Sequence, residues 1–111
     1  MSESTTPTMA QIIEQMPNYF QPEKAGSTTA TYQFDLNDGG AYWLKVADGQ
    51  ANAGEGTAEN ANVTMTAKGE DYVKIFTGRL DPMIAFMQGK LKVKGDMGLA
   101  TKMQSMFKRP S

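Results

Sequence analysis

The chain has 111 residues and a formal net charge of −1, so we expect one domain, 1–111, with a single core and no nucleic-acid partner. It contains neither cysteine nor histidine, which excludes disulfides and thiolate chemistry and removes the commonest general base, so we expect no metal and no cofactor. The first residues lack the parts of a signal peptide and no apolar run reaches the ~20 residues that span a bilayer, which predicts a cytoplasmic protein.

The pattern of the first half of the chain predicts one amphipathic helix followed by strands. Residues 1–6 are expected to be disordered, and apolar side chains at helical spacing predict a helix over 7–16, capped by Thr6 and ended or kinked by Pro17. Residues 22–29 are expected to be a linker. Alternating apolar residues predict a hairpin of strands 30–36 and 42–46 around the turn 37–40, then a weak third strand within 50–62 and a fourth over 63–67.

The second half combines short helices with one more strand. A helix over 70–77 ends at Gly78, and another begins at Asp81-Pro82, where aspartate can cap and proline suits the first helical position. Alternation around Leu91 and Val93 predicts a fifth strand. The lysines at 90, 92 and 94 share one face, which either protects a sheet edge or contacts an anionic surface. Asp96 caps a last helix over 97–107, and 108–111 form a flexible tail.

The distribution of methionine residues indicates more about function than that of any other residue type. The second half contains Met65, Met83, Met87, Met97, Met103 and Met106. Methionine fills irregular or changeable apolar space, whereas a rigid core uses leucine, isoleucine and valine, although plain core packing explains the pattern equally well. No pair of titratable side chains stands out as an acid and a base. The residues alone therefore indicate a methionine-rich core and no catalytic set.

The stretch 63–107 resembles the sterol carrier protein type 2 family. The match begins with Val63-Thr64-Met65-Thr66, continues through 71–82, and is most specific from Phe86 to Gln104. The hairpin 34–49 fits as well, so the resemblance covers about 30–107. The ending Arg109-Pro110-Ser111 is not a peroxisomal tripeptide, and we expect a free-standing, prokaryotic-type member without a fused enzyme domain.

The resemblance implies an α+β fold with a five-stranded, mixed, largely antiparallel sheet and helices packed on one face. The order along the chain is helix-strand-strand-strand-strand-helix-helix-strand-helix. Members of the family hold fatty acyl, isoprenoid or sterol-like molecules between the sheet and the helices. We therefore expect a hydrophobic tunnel whose ligand-binding residues are Phe34, Phe76, Met83, Phe86, Met87, Met97, Ala100, Thr101, Met103, Gln104 and Phe107.

The function expected from the resemblance is binding or transfer of an apolar, lipid-like molecule without catalysis. We also expect transient contact with anionic membranes through Lys102, Lys108 and Arg109, because the second half of the chain holds most of the basic residues. An alternative is an interaction or scaffold module for enzymes of lipid or quinone metabolism, which a closed core without a cavity would favour. An enzyme that uses aspartate or tyrosine is a third alternative.

Overall fold

A computed structural model describes residues 8–107, except for the side chain of Gln104. The expected disordered start and flexible tail, and the proposed cap Thr6, lie outside the described residues. The helices are α1 (Met9–Gln15), α2 (Pro22–Ala25), α3 (Gly69–Phe76), α4 (Pro82–Met87) and α5 (Met97–Met106), and a 3₁₀ turn covers Met16–Tyr19. The strands are β1 (Ala30–Leu36), β2 (Ala41–Ala47), β3 (Gln50–Glu55), β4 (Val63–Ala67) and β5 (Lys92–Gly95).

The first helix begins later than the sequence predicted. Thr8 is its cap, because the Thr8 hydroxyl accepts a hydrogen bond from the backbone N–H of Gln11 at 3.2 Å while the Gln11 side chain accepts one from the Thr8 N–H at 2.9 Å. This reciprocal pair satisfies donors that a helix start leaves open. After α1 the chain tightens into the 3₁₀ turn at Pro17. The predicted linker 22–29 is partly helical, because Pro22 starts α2.

The five strands form one mixed sheet in the order β3-β2-β1-β4-β5. The pairs β1–β2, β2–β3 and β4–β5 are antiparallel, whereas β1 and β4 run parallel. Alternate residues of the inner strands are fully buried on one face, among them Tyr32, Phe34, Leu44, Val46 and Val63. Together with residues of α1, α3 and α5 they form the hydrophobic core. The predicted fold class, a largely antiparallel mixed sheet with helices, is confirmed.

The connection from β3 to β4 crosses the opposite face of the sheet, where Gln33 holds it. Gln33 alternates with Tyr32 and Phe34 on β1, yet only 3% of its surface is exposed. Its amide nitrogen donates to the Gly56 carbonyl at 3.1 Å, and its amide oxygen accepts from the Ala58 N–H at 2.7 Å. A buried polar side chain with paired groups is stabilising. Gln33 therefore fastens the crossover to the central strand.

Aspartate side chains cap the last two helices, α4 and α5, as the sequence predicted. The Asp81 carboxylate accepts from the Met83 N–H at 2.7 Å, and the Asp96 carboxylate accepts from the Leu99 N–H at 3.1 Å. The predicted lysine row needs a correction, since Lys90 precedes β5 and its backbone N–H donates to the Ala85 carbonyl at 2.9 Å.

The last helix also ends earlier than predicted. It stops at Met106, and Phe107 forms an isolated antiparallel bridge with Phe20. The two rings lie 5.3 Å apart between their centroids, so this contact ties the end of α5 to the segment before α2. Within residues 8–107, no helix combines the length and the apolar character required to cross a bilayer.

Candidate functional site

A cavity of about 570 Å³ lies between the helices and the β4–β5 edge of the sheet. Its apolar wall consists of Ile12, Met16, Met65, Ile75, Phe76, Pro82, Met83, Phe86, Leu91, Val93, Met97, Ala100, Met103 and Phe107. Its polar wall residues are Gln11, Glu14, Gln15, Tyr19, Tyr72 and Thr101. The volume falls within the range of roughly 300–1,000 Å³ that is typical of small-molecule sites.

The sheet contributes the floor of the cavity through two adjacent strands. Met65 on β4 and Val93 on β5 are register partners, so their side chains emerge side by side on the face that the helices cover. Leu91, just before β5, is buried and adds to the same floor. An alternating strand pattern therefore presents only apolar side chains to the cavity from below.

The last helix contributes one wall, and its start is set by the Asp96 cap. Met97, Ala100 and Thr101 follow at helical spacing and line the cavity. Met103, which is buried, and Phe107 complete this side. The hydroxyl of Thr101 donates to the Met97 carbonyl at 3.1 Å, so it is already paired within the helix.

Three aromatic rings separate the cavity from the middle of the sheet. Phe34 meets Tyr72 and Phe76 edge to face, with 5.8 Å between the ring centroids in each pair. Tyr72 and Phe76 line the cavity, whereas Phe34 is fully buried behind them. The sequence proposed Phe34 as a ligand contact; it lies on the central strand β1, is not among the wall residues, and packs against the rings of Tyr72 and Phe76 that are.

The buried tyrosines are committed to hydrogen bonds with the backbone. Tyr72 donates to the Asp35 carbonyl at 3.1 Å, and burial, with a smaller effect of the Asp35 charge, raises the pKa of Tyr72. Tyr32, behind the wall, donates to the Leu99 carbonyl at 2.7 Å. Burial, with a smaller effect of the Asp96 charge, raises the pKa of Tyr32 to about 12. Both hydroxyls are therefore neutral at ordinary pH, and neither is a general base.

Most of the residues proposed from the sequence lie on the cavity wall. They are Phe76, Met83, Phe86, Met97, Ala100, Thr101, Met103 and Phe107. Met87 lies outside the wall and is 80% exposed, because it occupies the outer face of α4. The side chain of Gln104, and all of Lys108 and Arg109, lie outside the described residues. Lys102 is exposed on α5.

The contribution of the first helix was not predicted. Ile12 and Met16 are one helical turn apart, are buried, and line the cavity. Gln11, Glu14 and Gln15 are exposed and border the cavity on the same side. The amphipathic spacing of this helix was visible in the sequence, but the family resemblance began only near residue 30. Among the described residues, no group of three or more acidic side chains could hold a metal ion.

A family model described as the SCP-2 sterol transfer family matches residues 9–108 of the chain. Hydroxysteroid dehydrogenase-like protein 2 from Bos taurus is 43% identical over 84 residues, which is 73% of this chain and 20% of that protein. The chain thus spans about a fifth of the length of this relative.

Solved structures resemble the whole fold. The solution structure of the sterol carrier protein domain 2 of Helicoverpa armigera has a TM-score of 0.72 and 26% identity, covering 95% of this chain and 90% of that one. The solution structure of a palmitated sterol carrier protein 2 like 2 from Aedes aegypti has a TM-score of 0.64 and 21% identity, with 86% of each chain covered.

Proposed function

Because the chain belongs to the SCP-2 sterol transfer family, we propose that it binds or transfers an apolar lipid-like molecule in the cavity, without catalysis. The supporting observation is the cavity of about 570 Å³ with its predominantly apolar wall and its hydrogen-bonded tyrosine and threonine hydroxyls. A polar metabolite would lose its water there and gain few partners. An acyl, isoprenoid or sterol-like molecule would gain from burial.

The energetics favour a flexible hydrocarbon chain. Each methylene removed from water is worth about 0.8 kcal/mol, so a sixteen-carbon chain could gain on the order of 12 kcal/mol before costs. Lost translational freedom and chain ordering offset a large part of that gain. Micromolar affinity requires only about 8 kcal/mol net. Methionine side chains in the wall, such as Met83, Met97 and Met103, can repack around ligands of different shape.

The border of the cavity at α1 suggests where a polar headgroup would lie. Gln11, Glu14 and Gln15 are exposed there, so a headgroup beside them could keep its water. Glu14 is the only charged residue among those that line the cavity in the described part of the chain. A neutral headgroup, such as an alcohol or an ester, therefore fits this border better than a carboxylate.

The proposal is tested by mass spectrometry of the freshly purified protein under native conditions, followed by titration of the delipidated protein with palmitate and with palmityl alcohol. We expect co-purified lipid, or saturable binding with a stoichiometry near one. Ile12→Trp, which would fill the cavity from α1, should weaken binding, whereas Ala10→Trp on the exposed side of α1 is the matched control. The proposal would be contradicted if no lipid co-purified and the delipidated protein bound neither palmitate nor palmityl alcohol.

A closed core without a cavity would favour the interaction-module alternative, whereas the described residues line a cavity of about 570 Å³. It would gain support if the delipidated protein bound no apolar probe while remaining folded. A cytoplasmic location, expected from the sequence, is part of the main proposal and is tested by cell fractionation.

A further inference from the structure

The helix α4 exposes apolar side chains beside the cavity. Met83, Ile84, Phe86 and Met87 are 66%, 49%, 44% and 80% exposed, and Met97 at the start of α5 is 50% exposed. Together they form what we call the α4 patch. Single exposed apolar residues are ordinary, but a cluster of large ones marks an interaction surface.

The patch is continuous with the cavity. Met83, Phe86 and Met97 belong both to the patch and to the cavity wall, whereas Ile84 and Met87 belong to the patch alone. A molecule that leaves the cavity between these side chains would therefore emerge onto an apolar surface. In α4 the buried side chain is that of Ala85, so the helix offers nearly all of its other apolar residues to the outside.

Exposed basic residues lie close to the patch along the chain. Arg79 lies two residues before the Asp81 cap, and Lys90 lies three residues after Met87, the last residue of α4, where its backbone N–H donates to the Ala85 carbonyl at 2.9 Å. Lys102 is the next residue after Thr101 of the cavity wall, and all three basic side chains are exposed. The acids nearby, Asp81 and Asp96, accept hydrogen bonds as the caps of α4 and α5.

We propose that the α4 patch is the surface that docks on an anionic lipid bilayer, with Met83 and Phe86 bringing the cavity up to the membrane; this rests on the proposed lipid function. Apolar side chains with a basic border are the features that place a short amphipathic segment at a membrane interface. A second copy of the chain fits less well, because a two-fold contact through the patch would bring its basic side chains close to one another.

Co-sedimentation with vesicles tests the proposal. The double variant Ile84→Ser/Met87→Ser removes patch residues that do not line the cavity, so it should leave binding of a fluorescent fatty acid in solution unchanged. We expect its partition onto vesicles of phosphatidylglycerol and phosphatidylcholine to fall by about tenfold, since two side chains lose their burial. Met87→Ser alone, at an 80% exposed position, is the second variant should the double variant be unstable.

Two lysine substitutions distinguish a basic contact with the membrane from an effect of the net charge of the protein. Lys90→Gln and Lys45→Gln remove the same charge, but Lys45 alternates with the buried Leu44 and Val46 and so lies on the far face of the sheet. We expect only Lys90→Gln to weaken docking, and the difference to vanish at high salt, where the Debye length falls to about 3 Å at 1 M.

Two results would contradict the proposal that the α4 patch docks on a membrane. One is undiminished vesicle binding by a folded patch variant. The other is a wild-type protein that does not co-sediment with anionic vesicles and instead forms a dimer, when the double variant is monomeric. The proposed lipid function fails separately, when the wild-type protein docks on vesicles but binds no fatty acid in solution.

Discussion

The hydroxyl of Tyr32 donates a hydrogen bond of 2.7 Å to the backbone carbonyl of Leu99. Tyr32 is on β1, the central strand of the sheet, and Leu99 is in the first turn of α5. The bond therefore fixes the distance between the sheet and the helix that provides one cavity wall. The same turn of α5 carries Met97 and Ala100, which face the cavity.

Tyr32→Phe should lower the free energy of unfolding by about 1 kcal/mol, because it removes a buried hydrogen bond without changing the ring. Urea denaturation followed by circular dichroism measures the loss. Tyr42→Phe is the control, since Tyr42 is only half-buried and should change stability by less than about 0.5 kcal/mol. Equal effects of the two substitutions would contradict the importance of the Tyr32–Leu99 bond.

The protein should lose stability as the pH rises from about 10 to about 12. Tyr32 has a native pKa of about 12 against an ordinary value of 10.0, so the unfolded chain loses this proton first. The stabilisation by the neutral phenol is complete below pH 10 and disappears through pH 12, with a slope of up to about 1.4 kcal/mol per pH unit for one group. Tyr72, whose pKa is raised as well, acts in the same direction.

Denaturation curves at pH values between about 8 and 12 check this dependence. Tyr32→Phe should show a shallower decline, since one of the two tyrosines no longer contributes. A free energy of unfolding that stays constant or rises over the interval, in the wild-type protein, would contradict a raised pKa for the two tyrosines.

Met103→Asp should weaken binding of a fluorescent fatty acid by more than about tenfold, because it puts a carboxylate into an apolar wall. Met103 is 8% exposed, so the new charge cannot reach water without a rearrangement. Ser105→Asp is the matched control, since it adds the same charge at an exposed position of the same helix. Equal affinities of the two folded variants would argue that α5 does not contact the ligand.

Glu14→Gln should strengthen palmitate binding by about two- to fivefold, because it removes a like charge from the border of the cavity. The effect on palmityl alcohol should be negligible. Glu23→Gln removes the same charge from α2, away from the cavity wall, and is the control. An affinity for palmitate that stays unchanged or falls in Glu14→Gln would contradict a headgroup beside Glu14.

Gln33→Leu should destabilise the protein by about 1–3 kcal/mol, although leucine is similar in size and apolar. The substitution leaves the Ala58 N–H and the Gly56 carbonyl without their partner on β1. The same substitution at the exposed Gln50 should be nearly neutral. Amide hydrogen exchange at Ala58 should become faster in Gln33→Leu, and unchanged protection there would contradict the role of Gln33.

The features that the sequence predicted correctly depend on residues that are close to one another along the chain. Asp81 and Asp96 could be assigned as caps because capping joins residues two or three positions apart. The hairpin of β1 and β2 followed from alternation on either side of a turn. Most of the cavity wall, however, came from the family resemblance, because spacing alone cannot distinguish a methionine that lines a cavity from one in a solid core.

The features that the sequence missed depend on contacts distant along the chain. Phe34 has the character of a ligand contact, but its distance from the cavity depends on the packing of Tyr72 and Phe76 above it. Gln33 alternates with the core residues of β1, which is the position of a solvent-facing residue, and it is buried because the crossover lies over it. Thr6 and Thr8 are equally good caps by residue type, and the reciprocal bond with Gln11 decides for Thr8.

The parallel pairing of β1 with β4 affects how the protein folds. Phe34 pairs with Met65 across this junction, whereas the β1–β2 hairpin closes within a few residues around its turn. Contacts between distant parts of a chain form late, because the intervening loop must lose its freedom first. Newly synthesised protein should therefore fold its hairpin early and enclose the cavity last. During that interval Met65 and the apolar face of α5 would be exposed to chaperones and to other chains.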